Sequence, residues 1–173
     1  MSAVEATSTA VTKEPAAGPA VPFPSRAWFE RLAVEMKAER VRHEHLGTID
    51  CIAVFTVLDG GSGGNPCRLQ VTFEEYDAVD VREVAEKDLA AADFVVETDL
   101  DTWRSMIESI AAGAGRPALE QTLNYLSLPG TPIRLWAEDP VGRDKFFRFN
   151  QSLQEFFNAS AHFATAFPGA PAG

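Results

Sequence analysis

The sequence predicts a mixed α+β domain, because two hydrophobic periods occur along one chain. In several short stretches apolar and polar residues alternate, as they do in half-buried β-strands. In other stretches apolar residues recur every three or four positions, as on one face of an amphipathic helix. The chain has 173 residues, of which 46% are hydrophobic. It is therefore long enough for one domain with a substantial core.

The composition argues against several classes of partner. The chain carries 15 basic and 25 acidic residues, which gives a formal net charge of -10 at pH 7. Nucleic-acid binding needs a positive surface against phosphates, so we expect no nucleic-acid partner. No stretch approaches the ~20 apolar residues that cross a bilayer, and the beginning of the chain lacks the features of a secretion signal. We expect a soluble cytoplasmic protein without stable membrane insertion.

The two ends are predicted to be disordered tails around one domain. Residues 1–25 are rich in Ala, Pro, Thr and Val and show neither hydrophobic period. Residues 168–173 contain two prolines and two glycines and do not continue the last helix. The predicted domain therefore spans residues 26–167.

The first helix is predicted to begin after Ser25, a residue type that favours the N-cap position. The residues on its apolar face are Trp28, Phe29, Leu32, Ala33 and Met36. Close to its end, His43 and His45 flank Glu44. Two residues apart on a helix, the imidazoles diverge, so we favour a solvated polar loop over a metal site.

Two strands and a glycine-rich turn predict a β-hairpin. Apolar and polar residues alternate over residues 48–58 and again over residues 69–74, and the turn Asp59–Pro66 joins them. In this hairpin Cys67 would lie opposite a residue near Leu58, and Cys51 opposite a residue near Glu74. The two thiols would then be too far apart to pair, which fits a reducing compartment.

Further strands and helices follow the hairpin. Val79 and Val81 indicate a third strand and residues 94–97 a fourth, after which Thr98-x-x-Asp101 is typical of a capping box. The helix that follows has the apolar residues Trp103, Met106, Ile107 and Ile110. A short helical piece, a strand over residues 133–136 and a last helix from Asp139 complete the chain. The apolar residues of this last segment are Phe146, Phe149, Leu153, Phe156, Phe157 and Phe163.

Charge is unevenly distributed along the chain. From Glu74 to Asp101 there are eleven acids and two bases, whereas the rest is nearly neutral. We expect a negative edge around strands two to four, which would repel acidic membranes and receive a basic protein partner. In the C-terminal half, Arg134, Arg143 and Arg148 are available to hold a carboxylate or phosphate head group.

One passage resembles a known family. Residues 92–103 read as Ala-Asp, an alternating apolar strand, a polar cap and Asp-x-Trp. With the order of elements around it, this passage resembles the sterol carrier protein 2-like (SCP2-like) family over about residues 26–165. The resemblance implies an α+β fold, with a five-stranded, mostly antiparallel sheet and helices packed on one face, enclosing a hydrophobic tunnel. It also implies non-enzymatic binding of a sterol, fatty acid or fatty acyl-CoA, with no cofactor and no metal.

The chain departs from the family pattern at two places. Residues 130–135 match the front of the family's Gly-x-Leu-x-x-x-Gly-Asp strand, but Ala137-Glu138-Asp139 replaces the glycine ending, and residues 113–129 are extended. The chain ends in Pro-Ala-Gly rather than Ser-Lys-Leu, and its high Ala and Arg usage suits a bacterial cytosolic member.

The resemblance assigns the ligand-binding residues to four elements. The fourth strand would supply the floor, the Trp-bearing helix a wall, the fifth strand an edge and the last helix a lid. The ten predicted residues are Phe94, Val96, Trp103, Ile107, Ile110, Leu135, Phe146, Phe149, Leu153 and Phe156.

Two other functions remain open at this point. In the first, phenylalanines close the core, and the domain is an interaction module that forms a homodimer or joins a larger protein. In the second, the domain is an enzyme acting on a lipid-like or steroid substrate, which needs a carboxylate inside the apolar cavity. Strand alternation places Asp93 and Glu97 on the face opposite Phe94 and Val96, so the sequence offers no catalytic residue.

Overall fold

A computed structural model describes residues 18–169. The strands are β1 (Val21–Pro22), β2 (Cys51–Val57), β3 (Cys67–Glu74), β4 (Asp77–Glu83), β5 (Phe94–Thr98), β6 (Arg134–Trp136) and β7 (Thr165–Ala166). The helices are α1 (Arg26–Ala38), α2 (Arg40–Leu46), α3 (Leu100–Ala112), α4 (Leu123–Leu126) and α5 (Pro140–Asn158). Short 3-10 turns lie between several of these elements.

Five strands form the central sheet in the order β4-β3-β2-β5-β6. Neighbouring strands are antiparallel except for β2 and β5, which are parallel. The predicted five-stranded, mostly antiparallel sheet is therefore confirmed. The strands β1 and β7 form a separate parallel pair.

The predicted hairpin is formed by β2 and β3, with a register close to the expected one. Val57 lies opposite Cys67, and Cys51 lies opposite Phe73, one residue from each predicted position. Both cysteines are free.

Helices pack on one face of the sheet, as predicted. The buried residues of α1, α3 and α5 belong to one apolar cluster with the inward side chains of the strands. On the opposite face, Val54 and Val95 form a second, small cluster with Leu89 from the 3-10 turn Glu86–Ala91. The large apolar layer is therefore between the sheet and the three helices.

The helix starts follow side-chain capping, with one difference from the sequence prediction. The Ser25 side chain accepts a hydrogen bond from the Trp28 backbone N–H, as expected of an N-cap. At the start of α3, however, the cap is Asp99, whose carboxylate accepts from the Thr102 N–H. The Thr98 hydroxyl instead donates to the Pro132 carbonyl oxygen at 3.2 Å, because Thr98 is still part of β5.

The predicted N-terminal tail, residues 1–25, includes residues that belong to the folded domain. Residues 1–17 lie outside the described residues, but Val21 and Pro22 pair with β7. The ring of Phe23 is 1% exposed and lies 4.8 Å from that of Trp28, centroid to centroid. A two-residue strand and one buried ring have no period, so sequence periodicity did not reveal them. At the other end, residues 170–173 also lie outside the described residues.

The prediction of a solvated polar loop around His43 is wrong. Residues 40–46 form the separate helix α2, and His43 is 1% exposed, whereas His45 faces solvent. Residues two apart on a helix point in different directions, so one imidazole is buried and the other is not.

The acidic residues do not form one continuous edge. β4 is an edge strand, but Asp93 precedes β5 and Glu97 lies within it, and β3 and β2 separate β5 from β4. Several carboxylates also have basic partners: Asp77 contacts Arg40 and Asp80 contacts Arg82. The negative charge is therefore divided over the sheet and partly balanced.

Candidate functional site

The ten predicted ligand-binding residues converge on the layer between the sheet and the helices. Nine of them are buried members of one apolar cluster, and Phe149 packs against its border, half-buried. These residues therefore face or border the interior, and their contact with a ligand stays a prediction.

The floor of this layer follows from strand alternation and from the parallel pairing of β5 with β2. Phe94 lies beside Ala53, and Val96 lies beside Phe55, all within the main apolar cluster. Val95, between them, belongs to the small cluster on the other face. The sequence pattern of β5 therefore separates floor residues from outer residues correctly.

One part of the interior is filled by interlocked aromatic rings. The Phe55 ring stacks on Phe29 with centroids 5.7 Å apart and meets Phe157 edge-on at 5.0 Å. Phe157 also lies 5.5 Å from Trp103 and 6.2 Å from Trp28. We call Trp28, Phe29, Phe55, Trp103 and Phe157 the ring network. Such contacts fix the relative positions of large, rigid side chains.

The main apolar cluster also contains aliphatic residues outside the ring network. The Phe94 and Phe146 rings meet there with centroids 5.6 Å apart. With these two rings we group the buried aliphatic residues that come from β5, α3, α4, α5, β6 and the residue before β6, namely Val96, Ile107, Ile110, Leu123, Leu126, Ile133, Leu135 and Leu153. We call this the aliphatic region. Eight of the ten predicted residues belong to it or border it; Trp103 is in the ring network, and Phe156 packs on Phe73.

The segment of residues 113–133 lies between α3 and β6 in the chain and contributes buried residues to the aliphatic region. Leu123 and Leu126 of α4 are buried, and the Leu123 N–H donates to the Gln154 side chain of α5 at 2.8 Å. On its outer side this segment exposes apolar side chains, namely Leu119, Tyr125 and Leu128. Glycines with positive φ lie near both ends, Gly115 at 88° and Gly130 at 82°.

Two carboxylates beside the interior, those of Asp93 and Glu97, have local partners. Asp93 accepts from the Ile52 N–H at 2.7 Å and pairs with Lys145 at 3.2 Å. Glu97 pairs with Arg134 at 3.0 Å. Within residues 18–169 no group of three or more His, Cys, Asp or Glu side chains could hold a metal ion.

Of the three arginines considered for head-group binding, two remain without a carboxylate partner in the described part of the chain. Arg134 pairs with Glu97. The guanidinium of Arg143 lies over the Phe147 ring at 5.9 Å, and that of Arg148 lies over the Phe149 ring, also at 5.9 Å. Arg148 therefore stands beside the half-buried phenylalanine at the border of the aliphatic region.

Four surface grooves of about 350 to 570 Å³ are lined by residues outside the predicted set. The largest of them, about 570 Å³, lies at the start of α5 and includes Asp93 and Lys145. No helix in residues 18–169 combines the length and the hydropathy that a membrane span requires.

Comparison with solved structures shows the fold. A conserved hypothetical protein from Thermus thermophilus, described as a possible sterol carrier protein, superposes with a TM-score of 0.60 at 16% identity, over 88% of this chain and 96% of that one. A structure of sterol carrier protein 2 superposes with a TM-score of 0.57 at 18% identity, over 81% of this chain and 98% of that one. No protein-family model matches the sequence, and neither does a curated protein. The chain has the SCP2-like fold.

Proposed function

We propose that this protein binds and carries an apolar ligand, a sterol, a fatty acid or a fatty acyl-CoA, in a tunnel between its sheet and its helices, without catalysing a reaction. Two similar structures with the same fold carry the description of a sterol carrier. The observation that carries the proposal is the gathering of all ten predicted residues in one apolar layer. Binding would be driven by removal of apolar surface from water, at ~25 cal/mol per Å².

The ligand occupies the aliphatic region rather than the ring network. Leucine and isoleucine side chains change rotamer more easily than a set of interlocked aromatic rings, so space opens here at lower cost. The segment of residues 113–133, which contributes buried residues to this region, is attached to α5 by the hydrogen bond from Leu123 to Gln154. Displacement of this segment would admit the ligand.

A charged head group would stay at the border of this region. Arg148 stacks on the half-buried Phe149, and Arg143 stacks on the exposed Phe147 nearby on α5. Both guanidinium groups are available for a carboxylate or phosphate, which accept bidentate hydrogen bonds from arginine. This arrangement favours amphiphiles with an anionic end.

The cysteines support a reducing, cytoplasmic location for this function. Cys51 and Cys67 are both free, and they lie at opposite ends of the β2–β3 hairpin. Free thiols are typical of proteins in reducing compartments, and both cysteines fit such a location.

Titration with a fluorescent fatty acid tests the proposal. We expect saturable binding of one probe molecule per chain, and competition by unlabelled fatty acid or by sterol. A probe that stays free at every protein concentration would contradict it.

A second candidate is an interaction module whose core is closed by its own side chains. The ring network favours it, because those rings already fill one part of the interior. Sedimentation at several concentrations separates the two functions. A monomer with bound lipid supports the carrier, whereas a lipid-free oligomer supports the module.

A further inference from the structure

His43 is a buried histidine for which the proposed carrier function has no use. It lies on α2, is 1% exposed, and has no hydrogen-bond partner for either ring nitrogen in the described residues. Leaving a buried polar group unpaired has a cost in free energy. An apolar residue would fill the same space without this cost, so the imidazole calls for another explanation.

Charged groups from three directions face His43. They are Glu155 of α5, Asp77 of β4, and Glu39 and Arg42 from the α1–α2 junction and α2 itself. The nearest carboxylates are already paired: Arg42 contacts Glu155 at 2.7 Å, and Arg40 contacts Asp77 at 3.2 Å. Because burial outweighs the attraction of these carboxylates, the pKa of His43 lies below its usual value.

α2 is a short helix with non-helical residues at both ends. Glu39, which both ends α1 and begins α2, has non-helical dihedral angles of -101° and 29°. At the other end Gly47 has a φ of 94°, which glycine adopts without strain. The ion pair between Arg42 and Glu155 holds this short helix against α5.

We propose that α2 is an acid-sensitive latch, in which proton uptake by His43 releases α2 from α5. In the closed position the neutral ring is favoured, because burial disfavours the charged form more than the surrounding carboxylates favour it. In the open position the ring is hydrated and binds a proton with an ordinary pKa of about 6.5. Lowering the pH through this value therefore favours the open position, whereas raising it favours the closed one.

The size of the effect follows from one proton. With an open-state pKa of about 6.5, the open population increases by at most about tenfold from about pH 7.5 to about pH 5.5, and this limit is reached when the closed state stays neutral. The latch needs no ligand, so it can be tested on the protein alone.

Hydrogen exchange tests the latch, with protection factors corrected for the intrinsic pH dependence of amide exchange. Between about pH 7.5 and about pH 5.5 we expect the protection of α2 amides to fall, by up to about tenfold, in the wild-type protein. The apolar variant His43→Leu should keep its protection, while His45→Gln, which removes the exposed imidazole of the same helix, should behave like the wild type. Unchanged protection in the wild type, or an equal loss in His43→Leu, would overturn the proposal.

A second measurement does not depend on a variant. In an NMR titration of the wild-type imidazole resonances, the midpoint of His43 should lie below the ~6.5 of an unperturbed imidazole. A midpoint at or above that value would overturn the proposal.

Discussion

The indole N–H of Trp103 donates a hydrogen bond to the backbone carbonyl oxygen of Thr56 at 3.0 Å, inside the protein. This bond joins α3 to the central strand β2. Trp103→Phe keeps an aromatic ring but leaves the carbonyl without this donor, so we expect a loss of about 1–3 kcal/mol in the free energy of unfolding. Urea denaturation measures this loss in the free energy of unfolding.

The matched control is Trp28→Phe. The Trp28 indole donates to the Thr165 hydroxyl at 3.0 Å in a partly buried place, where the hydroxyl can turn to water. This variant should lose less stability than Trp103→Phe, and an equal or larger loss would contradict the role of the Thr56 contact.

Gly142 lies where α5 meets the sheet. A Cβ atom at this position would lie 1.8 Å from the Asp93 carbonyl oxygen, so Gly142→Ala forces α5 away from β5. Glycine-to-alanine changes inside helices usually stabilise by roughly 0.5–1 kcal/mol, whereas this one should destabilise by about 1–3 kcal/mol or more. Thermal unfolding measures whether Gly142→Ala stabilises or destabilises the protein. The control is Gly18→Ala, where an added Cβ atom would meet no atom within 4 Å.

The two cysteines should be poorly reactive in the folded protein. Burial raises the pKa of the Cys51 thiol to about 12 and that of the Cys67 thiol to about 11. Because the thiolate is the reactive form, alkylation near pH 8 should be slower than for an exposed thiol by about 1000-fold and about 100-fold, respectively. Mass spectrometry of time points with iodoacetamide measures both rates. Rapid labelling of Cys51 in the native state would refute the prediction.

Phe149 and Phe147 form a matched pair on α5. Phe149 is half-buried at the border of the aliphatic region, whereas Phe147 is 44% exposed. If the ligand passes this border, Phe149→Ala should weaken fatty-acid binding by about 5- to 30-fold through lost apolar contact. Phe147→Ala should change the affinity little. Equal effects of the two substitutions on the affinity would show that the ligand does not pass the border at Phe149.

Local sequence signals predicted most of the fold. Ser25 identified the start of α1, and alternation placed Phe94 and Val96 on the inner face. The glycine-rich turn fixed the hairpin register to within one residue, because pairing in a hairpin is counted outward from its turn. These features depend on neighbours in the chain.

Features that depend on distant contacts were not predictable. Phe23 belongs to the core because its ring contacts those of Trp28 and Trp103. No hydrophobic period in the sequence indicates this position. His43 is buried because α2 separates from α1 and packs against α5. The aliphatic region emerged only when topology brought α4 beside α5 and β6 beside β5, since sequence spacing does not separate it from the ring network.

Native mass spectrometry of the protein as isolated tests the carrier function most directly. We predict a complex of one chain with one lipid-sized adduct, which is lost under denaturing conditions and identified in the organic extract as a sterol, a fatty acid or a fatty acyl-CoA. A single ligand-free mass that stays unchanged after incubation with a fatty acid and with a sterol would contradict the account.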